Sequence, residues 1–214
     1  MLRRTSDTFR DRADAGRRLG ARLADLGVAP GPVVLGLPRG GVTVAAEVAA
    51  ALPGQLDVLV ARKLAHPEQP ELALGALAEG GSPVWDSAML RSMGLRSDDL
   101  DEVVSAERRE LARRVASYRG DRPAPDLYGR VVVLVDDGVA TGATARAALR
   151  AVRDRGAARL LLAVPVAAPD SLATFTDADE VVTLLAPAHF VAVGRWYDDF
   201  AQLSDEDVRR ALDR

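Results

Sequence analysis

The sequence contains no cysteine, which excludes disulfides, cysteine-ligated zinc and iron–sulfur clusters. Its two histidines, His66 and His189, are too few for a multi-histidine metal centre. Isoleucine and asparagine are missing, and of 28 basic residues 27 are arginine and one is Lys63. A GC-rich coding sequence accounts for that skew. It still singles out the lone compact ammonium, which arginine does not freely replace. The longest apolar run, Leu160 to Ala168, falls far short of the ~20 residues of a membrane span. Met1 to Leu19 is dense in arginine and aspartate and has no apolar signal-peptide core, so a soluble cytoplasmic protein is expected. The net charge of −3 argues against general nucleic-acid binding. What is present is an ordinary globular mixture, 48% hydrophobic and 28% charged over 214 residues. That is enough chain for a core without staples, so residues 1–214 read as a single domain.

Strands and helices alternate. Ser6 and Asp7 are read as the cap of a helix reaching about Gly27, with Phe9, Ala13, Leu19, Leu23 and Leu26 on one face. Val33 to Leu37 reads as a buried strand, Val42 to Leu52 as a helix and Leu56 to Ala61 as a second strand. Arg62 to Pro70, polar with two prolines, reads as an exposed loop, and Ala73 to Ala78 and Val84-Trp85 as short strands. Ser97 is read as the cap of a helix striped by Leu100, Val103, Val104, Leu111, Val115 and Tyr118, ahead of a proline-containing linker at 121–126. Then follow a strand at Val131–Val135, a helix at Thr141–Arg155, strands at Leu160–Val166 and Val181–Leu185, and a last helix after Ser204. This order predicts a doubly wound α/β fold with a mainly parallel sheet, whose ligands sit beyond the carboxyl ends of the strands.

One loop at such an end carries chemistry. Val131–Val135 delivers Asp136 and Asp137, and the small residues after Gly138 lead into a helix through Ala140-Thr141-Gly142-Ala143-Thr144. A helix start offers free N–H groups and a positive dipole end, and Gly142 and Ala143 let a ligand approach, so the loop can cradle a phosphate. The adjacent acids repel phosphate but suit hydroxyls or a divalent cation. A ribose 5-phosphate satisfies both halves. An acid pair alone would read as a plain strand exit, and the rest of the loop is what raises it above that. A Walker A loop is excluded because Lys63 stands between Arg62 and Leu64, and a haloacid-dehalogenase site because the two acids are adjacent.

Val132 to Thr144 resembles the phosphoribosyl pyrophosphate motif of type I phosphoribosyltransferases. Leu37-Pro38-Arg39-Gly40-Gly41 is similar to their pyrophosphate loop, Arg62-Lys63 and the polar stretch after it to their mobile catalytic loop, and Val193 to Asp198 to the late hood segment of purine-using members. The resemblance implies that fold, with a small hood to which residues 187–214 contribute, and an Mg²⁺-dependent transfer of ribose 5-phosphate between phosphoribosyl pyrophosphate and a nucleobase-like acceptor, as in nucleotide metabolism. It implies that Asp136 and Asp137 hold the ribose hydroxyls, and that Ala140, Thr141, Gly142, Ala143 and Thr144 bind the 5-phosphate. Arg39 and Gly40 would take the pyrophosphate, Arg62 and Lys63, with Asp137, would serve catalysis, and Trp196 would stack on the base. Asp136, Asp137 and Asp198 would serve Mg²⁺. The partners implied are small molecules, the donor and a base or nucleotide, with a homodimer as candidate assembly and neither nucleic acid nor membrane. The alternative on the same fold is a non-catalytic sensor of nucleotides or of the donor. Two departures bear on the acceptor: enzymes of 6-oxopurines carry an acid where Ala140 stands and a lysine on the following strand, which here runs Leu160 to Val166 with none.

Overall fold

A computed structural model describes residues 8–29 and 31–213. Helix α1 (Arg12–Asp25) precedes strand β1 (Val33–Gly36), helix α2 (Gly40–Ala51) and strand β2 (Gln55–Val58). Strands β3 (Ala61–His66), β4 (Gln69–Ala78) and β5 (Val84–Trp85) follow, then helices α3 (Ser87–Ser92) and α4 (Asp101–Arg119). The second half comprises β6 (Val131–Val135), α5 (Ala143–Asp154), β7 (Arg159–Val166), α6 (Pro169–Leu172), β8 (Glu180–Leu185) and α7 (Asp205–Leu212).

The main sheet has five strands, all parallel, in the order β2-β1-β6-β7-β8. Its central strands are apolar on both faces because both faces are covered. Alternate residues face opposite ways. Val34, Val133, Val135, Leu161 and Ala163 pack with Leu19 and Leu23 of α1 and Val44 and Val48 of α2. Val33, Leu35, Val132, Leu134, Leu160 and Leu162 pack with Ala145, Ala148, Leu149 and Val152 of α5. The chain leaves β1 toward one edge through α2, and leaves β6 toward the other edge through α5. β1 and β6 are neighbours, so their carboxyl ends form the topological switch point, where open α/β sheets hold their ligands.

A second sheet, antiparallel β3-β4-β5, is where the sequence reading needs correction. Arg62 to His66 is strand, not loop, and pairs with β4 through irregular register at Leu64–His66. Alternation explains it: Lys63 is exposed on one side, while Leu64 is buried on the other, where Arg62 also meets Glu107 of α4. Only Pro67 and Glu68 turn. The sheet packs Ala76 and Ala78 onto α5. A buried arginine fixes it further. Arg119 donates Nε to Asp57 at 3.3 Å, Nη1 to Glu79 at 2.5 Å and Nη2 to the Val58 carbonyl at 2.8 Å, tying α4, β2 and the exit of β4 together.

Three helix starts also differ. Ser6 and Asp7 lie outside the described residues, and α1 is capped by Asp11, whose carboxylate accepts from the Asp14 N–H at 2.7 Å. The chain just before it is drawn into extended pairing with the C-terminal segment, Phe9 beside Tyr197, so it cannot be helical. Ser97 opens a 3-10 turn rather than capping α4, and its hydroxyl donates to Asp98. Thr141 and Gly142 stand outside α5, with Gly142 left-handed at φ +73 as its cap. Ser204 does cap α7, in a reciprocal box with Asp207.

Candidate active site

At the switch point β6 ends in Asp136-Asp137, facing the Pro38-Arg39-Gly40 turn that leads from β1 into α2. The Pro38–Arg39 peptide is cis. Between them lies a cleft of about 570 Å³, bordered also by Arg12, Val193, Phe200, Gln202 and Leu203. The acids are held tightly. Asp136 Oδ1 accepts the Asp137 N–H at 2.8 Å. Asp137 Oδ2 accepts from Arg12 Nε at 2.7 Å, in a pair whose side chains are 10% and 16% exposed. The Tyr197 hydroxyl donates to the Asp137 carbonyl at 2.5 Å. Burial, and then the charge of its neighbour, pushes the Asp136 carboxyl well above the usual range; burial raises Asp137 too, against the pull of Arg12. Burial likewise pushes the Tyr197 phenol up.

Gly40 is dictated by this pair. A Cβ there would fall 1.8 Å from Asp137 Oδ2 and 2.7 Å from Arg12 Nε, so any side chain would occupy the ion pair's space. The side chain of the neighbouring Arg39, half-buried at the start of α2, has no hydrogen-bond or ion-pair partner among the described residues. Its guanidinium is the uncommitted cation of the cleft.

The other half of the loop is built the opposite way. Among the described residues nothing accepts from the backbone N–H groups of Ala140, Thr141, Gly142, Ala143 and Thr144. The first amide of the helix with an acceptor is that of Arg146, bonded to the Gly142 carbonyl at 2.9 Å. Arg146 Nη1 donates to the Thr141 carbonyl at 2.9 Å and to Thr174, which steadies the turn. Gly142 has no room for a Cβ, which would lie 2.7 Å from the Phe175 ring. Five unsatisfied donors at a helix start are an anion site in waiting. Thr141 and Ala143 also border a hollow of about 220 Å³ beneath Trp85 and Gly75 of the second sheet.

Arg62 donates Nε to Glu107 of α4 at 2.6 Å, and Lys63 is exposed on β3; neither borders the cleft. Asp198 lies with the N-terminal segment, its carboxylate 3.4 Å from the Thr8 hydroxyl, and does not join Asp136 and Asp137. Among the described residues no three acidic, histidine or cysteine side chains gather as a metal cage. Trp196 packs in the cluster of Phe9, Tyr197 and Val166, its Nε1 buried without a partner among the described residues. Arg12 gives no signal in the sequence: one arginine among 27, it meets Asp137 across 125 residues.

Among the described residues no helix is long and apolar enough to cross a membrane. The family model described as phosphoribosyl transferase domain matches residues 13–194. A curated Mycobacterium tuberculosis protein, Rv0571c, whose name gives phosphoribosyl transferase as a provisional description, is 50% identical over 207 residues, 96% of this chain and 46% of its own length. The chain thus spans about half the length of the curated relatives it matches. The crystal structure of TT1426 from Thermus thermophilus is similar at a TM-score of 0.82 and 48% identity, over 96% of this chain and 97% of that one. A Neisseria gonorrhoeae hypothetical protein solved with bound ppGpp shares the fold, with a TM-score of 0.53 at 12% identity over 96% and 93% of the two chains. With its parallel sheet, its acid pair at the switch point and this family match over most of its length, the chain belongs to the phosphoribosyl transferase domain family.

Proposed function

We propose that the protein is a phosphoribosyltransferase, moving a 5-phosphoribosyl group between phosphoribosyl pyrophosphate and a nucleobase-like acceptor. The observation that carries this reading is one loop with two opposite halves: half-buried carboxylates at Asp136 and Asp137, and five amides at Ala140 to Thr144 without an acceptor among the described residues. Carboxylates accept from the ribose hydroxyls, while amides and the helix dipole receive the 5-phosphate. Arg39, uncommitted and beside Gly40, takes the pyrophosphate. As the bond from C1 to pyrophosphate oxygen breaks, a bond from C1 to an acceptor nitrogen forms, and the growing charge on the leaving group calls for cations. Lys63 is exposed while Arg62 is held by Glu107, so Lys63 is the more available of the two. Trp196 is assigned to the base and Asp198 to a water-mediated metal contact on the resemblance alone.

The donor set fits Mg²⁺ that arrives with its pyrophosphate. The ligands are hard carboxylate oxygens, Asp137 is already engaged by Arg12, and no all-protein cage exists among the described residues. Asp136, with Asp137, would hold it, and it would supply charge neutralisation on the pyrophosphate. Ala140 offers no proton acceptor, so the acceptor is assigned outside the 6-oxopurines.

Thermal melts with phosphoribosyl pyrophosphate test the reading. At 100 times its dissociation constant the donor should add about 2.7 kcal/mol, and EDTA should shrink that gain. No rise in Tm at millimolar donor with Mg²⁺ would overturn the assignment.

A further inference from the structure

We infer that Arg12 is a positioning residue for ribose recognition: its guanidinium fixes the Asp137 carboxylate and joins both terminal segments of the chain to it. The inference rests on the reading of the acid pair as the ribose-hydroxyl site. Its support is geometric. Arg12 opens α1, far in sequence from the acids, yet its Nε–H lies 2.7 Å from Asp137 Oδ2. Its Nη1 donates to the Ala201 carbonyl at 2.9 Å, and the guanidinium carbon stacks 3.8 Å above the centre of the Phe200 ring. Phe200 in turn lies 4.9 Å from the Tyr197 ring, and the Tyr197 hydroxyl donates to the Asp137 carbonyl. The side chain and the main chain of Asp137 are therefore gripped by one continuous assembly, Arg12–Phe200–Tyr197.

Three contacts of different kinds fix the guanidinium: an ion pair, a carbonyl and a ring face. A planar fork can make all three at once, and an ammonium cannot. The carboxylate it holds is therefore locked in orientation rather than merely neutralised, and a hydroxyl-binding group gains affinity from being set before the ligand arrives. Gly40 leaves the space in which this happens.

Binding of ribose 5-phosphate and of 2-deoxyribose 5-phosphate, measured by calorimetry on wild type, Arg12→Lys and Arg12→Gln, separates positioning from mere support of the fold. Wild type is expected to prefer the ribose form by about tenfold, equivalent to about 1.4 kcal/mol. Both variants are expected to bind the two sugars within twofold of each other, with circular dichroism showing the folded chain. A structural role alone would weaken both sugars alike and leave the preference intact, which overturns the assignment of Arg12. If wild type itself shows no preference, the reading of the acid pair fails instead, and the role of Arg12 falls with it.

Discussion

The two halves of the Asp136–Thr144 loop are built on opposite plans. The acid half is crowded and its partners are in place: Arg12 on the carboxylate, Tyr197 on the carbonyl, Gly40 yielding the space. The amide half is open, with five donors that have no acceptor among the described residues. The difference follows from the chemistry of each group. A carboxylate partly removed from water next to another is costly and must be restrained by the fold itself. Backbone N–H groups at a helix start remain solvated until an anion replaces water, so the fold can leave them bare. Damage to the acid half should therefore cost stability as well as binding, while damage to the amide half should cost chiefly binding.

The sharpest way to break this contrast is Gly40→Ala. Asp137 can escape the new Cβ only by giving up Arg12, leaving a nearly buried guanidinium unpaired. A loss of about 3 kcal/mol or more is expected, seen as a Tm fall of roughly 6–12 °C for a domain of this size. An unchanged Tm would mean the pair contributes nothing to the fold. Gly142→Ala comes next. It forces a left-handed residue with φ +73 to carry a Cβ, against the Phe175 ring. The strain is about 1–2 kcal/mol, and phosphate-bearing ligands should lose more affinity than that stability loss explains. Equal losses in both measurements would contradict the amide site.

A smaller effect, opposite in sign, is expected from Asp136→Asn. The Asp136 carboxyl is raised in the folded state, so the folded chain holds that proton more tightly than the unfolded one. Stability from this group is then present at low pH and lost as pH rises from about 4, the unfolded value, through the raised folded one. The amide removes that loss. Melts at pH 5 and pH 8 should show the variant gaining on wild type at the higher pH; a constant difference would remove the buried like-charge account. Lys63→Ala should do least to the fold, within about 0.5 kcal/mol as for other exposed positions. It should still slow pyrophosphate release from phosphoribosyl pyrophosphate. Wild-type release rates would make Lys63 a plain surface residue.

Much of the main sheet can be read from the sequence, for a local reason. Val131–Val135 is an unbroken apolar run because a central parallel strand is covered on both faces, and the acids that follow mark its exit. Ala73–Ala78 and Val84-Trp85 of the second sheet are legible too, but its first strand is not, because it shows only Leu64 and two alanines beside Arg62 and Lys63, with Pro67 in the turn that follows and Pro70 just beyond it. Ser97 and Thr141 have cap chemistry but stand two or more residues outside their helices, since a 3-10 turn and a left-handed glycine intervene. Pro38-Arg39-Gly40-Gly41 is legible as a ligand turn. The reason for Gly40 is not, because it lies in contacts with residues 12 and 137. Arg12 itself leaves no trace, since arginine at the start of a helix in an arginine-rich chain carries no local signal.

A crystal structure of the protein with ribose 5-phosphate tests the central claim most directly. The ribose hydroxyls are expected on the Asp136 and Asp137 carboxylates and the phosphate within hydrogen-bond distance of the amides at Ala140 to Thr144. A sugar phosphate bound in the reverse sense, with its phosphate on Arg39 and its hydroxyls at Thr141, or bound outside this cleft, would contradict it.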